Sequence, residues 1–316
     1  MVSLEVPVEK IPYIRTIEGR KFKDGKWEFP DSAIKKLQQY GLIDSDIKVE
    51  EKEIVQFELS PHLRGYQKKI VNTALNEECY GIFADTGTGK TIMGLELAKH
   101  YKKTLILCPL SVIETAWIDD CNSFYPELSI VNCWGNSKKE RIELLNTKAD
   151  VYVMNYESFK ILKNDIMKMD FDCMIIDESQ VMKNMTSQIT NELLQMIDVI
   201  PHRFVLSGTP TPNHNSEIFP QMKFVEPEVF GNNFYGFQAR YFHQDMENPH
   251  RWYQTDEDKE AYFSRLRDKS VFLKKEDCVD LPPKVFEVKR FELGKEQKQY
   301  YDDMIRDIQD NINEWS

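Results

Sequence analysis

No two cysteines in this sequence stand in a C-x-x-C pair. The six cysteines, at 79, 108, 121, 133, 173 and 278, lie far apart, and the six histidines show no metal-type spacing. That pattern argues against zinc and against a disulfide framework, and for reduced, mostly buried thiols of an intracellular protein. No stretch approaches the ~18 apolar residues that a membrane span requires. The N-terminal MVSLEVPVEK has no basic segment leading into an apolar core, so it is not a secretory signal. The expectation is a soluble protein with no membrane partner, in a bacterial or phage-infected cytoplasm or in a nucleus. Positive charge is also short: 41 Lys and Arg against 52 Asp and Glu leave a net charge of −11. A polyanion could be met only by local patches. Internal repeats and low-complexity tracts are absent.

What is present divides the chain. Its 316 residues suggest about two domains, and 41% hydrophobic residues can build a large core. Residues 1–43 form one unit. In RKFKDGKWEF, Asp24-Gly25 sits between two alternating runs, a hairpin signal because the type I′ turn needs positive φ twice. The turn sets Phe22 opposite Trp27 on one face, with Lys21, Lys23, Lys26 and Glu28 on the other. A short helix with Ile34 and Leu37 follows, Asp31 as its cap and Gly41 as its stop. Residues 10–36 hold eight Lys and Arg against four acids, whereas residues 44–58, with six acids and two lysines, read as a solvated connector.

From residue 59 short apolar runs alternate with longer helical stretches. Residues 80–84, 104–108, 129–133, 151–154, 173–177 and 203–206 read as strands. Runs apolar on both faces fit an α/β fold, a mainly parallel sheet flanked by helices. Ligands of such sheets sit at the carboxyl ends of the strands, and the motifs fall there.

The first motif is ADTGTGKT, residues 84–91. A strict phosphate loop has glycine at the first position, where this chain has Ala84; the pattern then matches at Gly87, Gly89, Lys90 and Thr91. Asp85, Thr86, Gly87, Thr88 and Gly89 would offer backbone N–H groups to phosphate oxygens at a helix N-terminus. Lys90 would reach the β- and γ-phosphates and Thr91 would ligate Mg²⁺. The second is CMIIDESQ, an apolar strand ending in Asp177-Glu178. Asp177 would hold the hydrated Mg²⁺ and Glu178 would act as general base on the attacking water. The N-K-x-D motif of GTPases and the L-S-G-G-Q motif of transporter ATPases are both missing. RFVLSGTPTPN ends a strand in Ser207, Gly208 and Thr209, small residues able to bridge the nucleotide site to a neighbouring surface. LRGYQ, just upstream of the loop, offers Arg64 and Gln67 to an adenine.

Taken in order, LRGYQ, ADTGTGKT, LILCPLSVIETAW, VYVMNYESF, MIIDESQVMKN, RFVLSGTPTPN and DLPPK resemble the Swi/Snf-like family of superfamily-2 nucleic-acid translocases over nearly all of residues 59–290. The resemblance implies a RecA-like first lobe in which Gln67 reads adenine and Gly87–Thr91 hold ATP and Mg²⁺. It makes Asp177-Glu178 the Walker B pair and has Ser207 and Thr209 couple hydrolysis to strand movement. Gln180 stands where histidine is commoner, which bears on that coupling. LCPLSVIE and NYES resemble the family's DNA-tracking motifs, making Pro109, Ser111, Asn155 and Tyr156 candidate contacts to duplex or branched DNA of low sequence specificity. Ser111 and Glu114 match a capping box, and a helix N-terminus suits a phosphate.

IEGRKFKDGKWEFP is similar to the small HARP domain of annealing helicases. That likeness implies recognition of DNA junctions, with Lys21, Lys23 and Lys26 as the contacts; a hairpin that only packs on the motor is the alternative. Family motors have two lobes, the second bringing arginines that stabilise the transferring phosphate. Here residues 291–316 read as the start of a linker toward a second lobe that would act in cis. Either the chain is part of a longer protein, or it is a single-lobed nucleotide- and DNA-binding protein. On either reading residues 1–316 alone should be weak ATP hydrolases.

Overall fold

The structure, a computed structural model, describes residues 2–4, 21–23, 26–29, 33, 37, 42, 54–245, 248, 252–278 and 293–314. The chain forms two compact units, Met1–Val279 and Asp280–Ser316. In the second, the described element is a helix, Lys295–Glu314. The expected boundary at residue 290 and the connector up to residue 53 lie outside the described residues.

Near the N-terminus, β1 (Val2–Leu4), β2 (Lys21–Lys23) and β3 (Lys26–Phe29) form an antiparallel sheet in the order β1-β3-β2. The hairpin has the expected register, Phe22 opposite Trp27 and Lys23 opposite Lys26. Strand β1, which no sequence signal announced, adds to the far edge of β3. Phe29, Ala33 and Leu37 are buried. The turn at Asp24-Gly25, Asp31, Ile34 and Gly41 lie outside the described residues.

The main sheet has seven strands. They are β4 (Cys79–Ala84), β5 (Thr104–Leu107), β6 (Ile130–Asn132), β7 (Val151–Met154), β8 (Cys173–Asp177), β9 (His202–Ser207) and β12 (Ser270–Leu273). Between the last two lies a small antiparallel ribbon, β10 (His243–Gln244) with β11 (Trp252–Tyr253). The order across the main sheet is β12-β4-β9-β8-β5-β7-β6, with every neighbouring pair parallel. Six of the seven are the strands read from the sequence. The seventh, β12, went unread: SVFL follows directly on the helix Asp256–Lys269 and leaves Phe272 exposed at the sheet edge.

Burial on both faces explains why the other strands were readable. Successive side chains of a strand point to opposite faces. Leu105 and Leu107 enter one buried cluster with Met174 and Ile176, while Ile106 and Cys108 enter the other with Cys173 and Ile175. For the site the decisive feature is strand order. Because β4, β9 and β8 are adjacent and parallel, their carboxyl ends, and the loops that leave them, stand side by side.

Candidate active site

The loop after β4 turns through two glycines with positive φ, Gly87 at +85° and Gly89 at +81°, a region costly for any residue with a Cβ. Gly89 is required for space as well. A Cβ there would lie 2.4 Å from Gln67 Nε2. The turn delivers Lys90 and Thr91 as the first residues of the helix Lys90–Lys99. Lys90 Nζ folds back over the loop and donates to the carbonyls of Ala84 at 2.8 Å and Asp85 at 3.4 Å. Thr88 is buried, its hydroxyl donating to the Asp85 carbonyl. Asp85, Thr86 and Gly87 are exposed, and Gly208 sits close over the loop, where a Cβ would lie 3.5 Å from Lys90 Nζ.

Gln67 is buried, with both ends of its amide engaged. Its Oε1 accepts from the Arg64 N–H at 2.8 Å, and its Nε2 donates to the Thr88 carbonyl at 3.0 Å. Tyr66 donates to the same carbonyl. Gln67 thus braces the phosphate loop from beneath, while Arg64 is exposed at the start of the helix Gly65–Glu77.

Asp177 closes β8 and is buried. Its Oδ2 accepts from the Trp117 indole Nε1 at 3.1 Å, and its Oδ1 from the Glu178 N–H at 3.0 Å. Burial pushes the Asp177 carboxyl up to about 6, the Glu178 charge adding to the rise and the indole bond and Lys90 opposing it. Such a group carries its full charge only above that pH, where a cation beside it relieves the cost of burial. Glu178 adopts a left-handed backbone, φ 54°, which turns its side chain out of the strand's alternation. Its Oε2 accepts from Gln180 Nε2 at 2.8 Å, Gln180 Oε1 accepts from the Ser207 hydroxyl at 2.6 Å, and Ser207 Oγ accepts from the Thr209 N–H at 3.1 Å. A continuous hydrogen-bonded chain therefore runs from Glu178, just after β8, to Thr209 beyond β9.

The donor set suits magnesium. Of the residues expected to hold it, Asp177 would offer a carboxylate and Thr91 a hydroxyl, both hard oxygens. Among the described residues no three His, Cys, Asp or Glu side chains gather into a metal cage. Magnesium is commonly held in just this way, by one or two carboxylates completed by substrate phosphates and water.

Two expectations are corrected. Ser111 and Glu114 form no capping box. Leu110–Val112 is a 3₁₀ turn that runs into a π-helical turn, Ile113–Ile118; the Ser111 carbonyl accepts from the Thr115 hydroxyl, and the Glu114 carboxylate is held by Asn132 on β6. Pro109 and Ser111 remain at the surface, half-buried and exposed. Asn155 and Tyr156, half-buried like Pro109, have side chains engaged within the chain. The Asn155 side chain caps the helix Tyr156–Ile166 by accepting from the Ser158 N–H, and the Tyr156 hydroxyl donates to the Asp177 carbonyl.

Three contributors carried no sequence signal. Trp117 reads as core. Gln221 accepts from the Ser179 hydroxyl at 2.7 Å and donates to the Pro210 carbonyl, a second tie between the segments after β8 and β9. Lys275, just beyond β12, donates its backbone N–H to the Asp85 carboxylate at 2.9 Å, and its ammonium lies over Gly87.

A glycine-turned loop and lysine after one strand, an Asp-Glu pair after a second, and a hydroxyl bridge between them define a P-loop nucleotide-binding lobe. This chain belongs to the SNF2-related domain family, whose model matches residues 66–315. It is similar to the SWI/SNF-related matrix-associated actin-dependent regulator of chromatin subfamily A-like protein 1 homolog of Caenorhabditis elegans, 33% identical over 181 residues, 56% of this chain and 26% of that protein. The TATA-binding protein-associated factor mot1 of Schizosaccharomyces pombe is 26% identical over 286 residues, 81% of this chain and 14% of that relative. The chain thus spans about a quarter or less of these relatives' lengths. Among solved structures, the Sulfolobus solfataricus SWI2/SNF2 ATPase core in complex with dsDNA superposes with a TM-score of 0.57 at 19% identity, over 70% of this chain and 46% of that one. That likeness shows the shared fold.

Proposed function

We propose that this chain is the ATP-binding lobe and N-terminal hairpin of a DNA translocase of the annealing-helicase type. The observation that carries the reading is the chain Glu178–Gln180–Ser207–Thr209, which joins a hydrolytic carboxylate to the segment leaving β9. A site built only to bind nucleotide has no need of it. In this reading the N–H groups of Asp85–Gly89 and the Lys90 ammonium hold the triphosphate, and Arg64 and Gln67 face the adenine. Gln67 then links base recognition to the phosphate loop through Thr88. Thr91 and Asp177 would hold magnesium, which neutralises charge between the phosphates when bound. Glu178 takes the proton of the attacking water.

Gln180 makes two of the three hydrogen bonds in that chain, one to Glu178 and one with Ser207 across the two segments. Gln180→Ala removes both, each worth about 1 kcal/mol, so stimulation of hydrolysis by duplex DNA should fall roughly tenfold or more in the full-length protein. Affinity for a fluorescent ATP analogue should be retained. Undiminished stimulation in steady-state assays would show that coupling runs by another route.

DNA as the partner has support in the neighbour whose ATPase core was solved on dsDNA and in the hairpin's placement of lysines along β2 and β3. Pro109 and Ser111 are the surface-facing candidates in the motor lobe; the Asn155 side chain is engaged as a helix cap and the Tyr156 hydroxyl by the Asp177 carbonyl. Each phosphate contact adds roughly 0.7–0.9 to the log–log slope of binding against salt. Changing Lys21, Lys23 and Lys26 together to glutamine should weaken binding to forked DNA and flatten that slope by about two to three units. ATP binding should hold. Fluorescence anisotropy at several salt concentrations measures it, and an unchanged slope would leave the hairpin a packing element alone.

A further inference from the structure

Trp117 stands where three parts of the site meet. Its indole Nε1 donates to Asp177 Oδ2 at 3.1 Å. Its ring edge lies against Gly94, so closely that a Cβ there would come within 2.6 Å of Cη2. Gly94 is one helical turn from Lys90, on the same face of the helix that the phosphate loop opens. Trp117 also belongs to the π-helical turn Ile113–Ile118, which begins two residues after exposed Ser111 and directly follows the 3₁₀ turn Leu110–Val112. A second tie comes from the end of the helix that follows, Asp119–Phe124, where the Tyr125 hydroxyl donates to the Ile92 carbonyl of the phosphate-loop helix.

A buried indole needs an acceptor for its N–H, yet a neutral carbonyl would serve. Here the acceptor is the carboxylate expected to face the metal, and the indole is aimed by a π turn, a rare geometry that recurs at functional sites. We propose that Trp117 is a positioning residue for Asp177. Through it, DNA phosphate bound at the Pro109–Ser111 surface sets how firmly Asp177 holds magnesium with the nucleotide. The proposal rests on the nucleotide and DNA reading above. Its physical content is mechanical: the 3₁₀ turn that carries Ser111 runs directly into the π turn that carries Trp117, so displacement of the surface turn is passed to the indole.

The test uses the full chain, a fluorescent ATP analogue, MgCl₂ and a short DNA duplex. The readout is the Mg²⁺ concentration at half-maximal analogue binding, with and without DNA. In the unaltered protein DNA should lower that midpoint about fivefold, a modest allosteric coupling. Trp117→Phe keeps most of the ring volume and removes the N–H. Its midpoint without DNA should rise about tenfold or more, the size of one hydrogen bond to a charged group, and the DNA-induced shift should vanish. Gly94→Ala leaves the indole intact and displaces it, and should move both readouts in the same direction; it decides the matter if Trp117→Phe does not fold.

A core role alone predicts a lower melting temperature in both variants, with the midpoint and its DNA shift as in the unaltered protein. That result overturns the proposal. So does an unaltered protein that binds the analogue with a DNA-independent midpoint. An unaltered protein that binds no analogue at any Mg²⁺ concentration overturns the nucleotide reading itself, and the proposal with it.

Discussion

Lys90→Ala should reduce affinity for ATP by about a hundredfold or more, to the limit of detection by titration with a fluorescent analogue. The ammonium is the one full positive charge that the loop itself presents, and hydrogen bonds between charged groups are each worth about 1.5–3 kcal/mol. Two such bonds to phosphate oxygens amount to roughly a hundredfold even at the low end. The same ammonium donates to the Ala84 and Asp85 carbonyls in the structure, so alanine also removes a clasp across the loop. Lys90→Arg is the informative companion. Arginine keeps the charge but presents a wide planar fork to a turn shaped around a single nitrogen, and it should recover only part of the affinity. If Lys90→Ala bound the analogue as tightly as the unaltered protein, the phosphate-site assignment would be withdrawn.

Glu178→Gln should separate binding from chemistry. The amide cannot accept a proton from water, and loss of a general base costs about 10²–10⁴ in rate. The change is nearly isosteric, and the amide oxygen can still accept from Gln180 Nε2, so the chain to Ser207 should persist. Asp177 is untouched, and ATP affinity with Mg²⁺ should stay within about threefold, less than one hydrogen bond. Single-turnover hydrolysis in the full-length protein, with DNA present, gives the rate. Near-normal turnover would place the base elsewhere.

Much of this site was readable because its parts obey local rules. Gly87, Gly89, Lys90 and Thr91 are contiguous, and Asp177-Glu178 follows a run that is apolar because both sheet faces are buried. Where the reading failed, distant residues had overridden a local rule. Ser111 and Glu114 have capping-box spacing, yet Asn132, on a strand contacted only in the folded chain, holds the Glu114 carboxylate. Tyr156 carries a motif position expected at the surface, and its hydroxyl is drawn inward by the Asp177 carbonyl. Trp117 and Gln221 left no local mark at all, because a buried indole or amide in a sequence does not disclose its partner. Gln180 is the reverse case: a departure from the commoner histidine that the structure accommodates, its amide supplying one donor to Glu178 and one acceptor to Ser207.

The bond from the Lys275 N–H to the Asp85 carboxylate spans 190 residues of sequence, and β12 pairs with β4 over a similar separation. During synthesis the phosphate loop is therefore complete in sequence by Thr91 but not in space until residue 275 has emerged and docked. Until then β4, the strand that carries the loop, is the open border of the growing sheet. Its unpaired N–H and C=O groups are a template for another chain, and long-range parallel pairing of this kind is slow to form. A nascent or proteolysed chain ending before Ser270 would thus lack a finished nucleotide cradle and would also expose an adhesive edge beside it. Its loop would be held on one side only, by Tyr66 and Gln67 at Thr88, with the Asp85 side left unclasped.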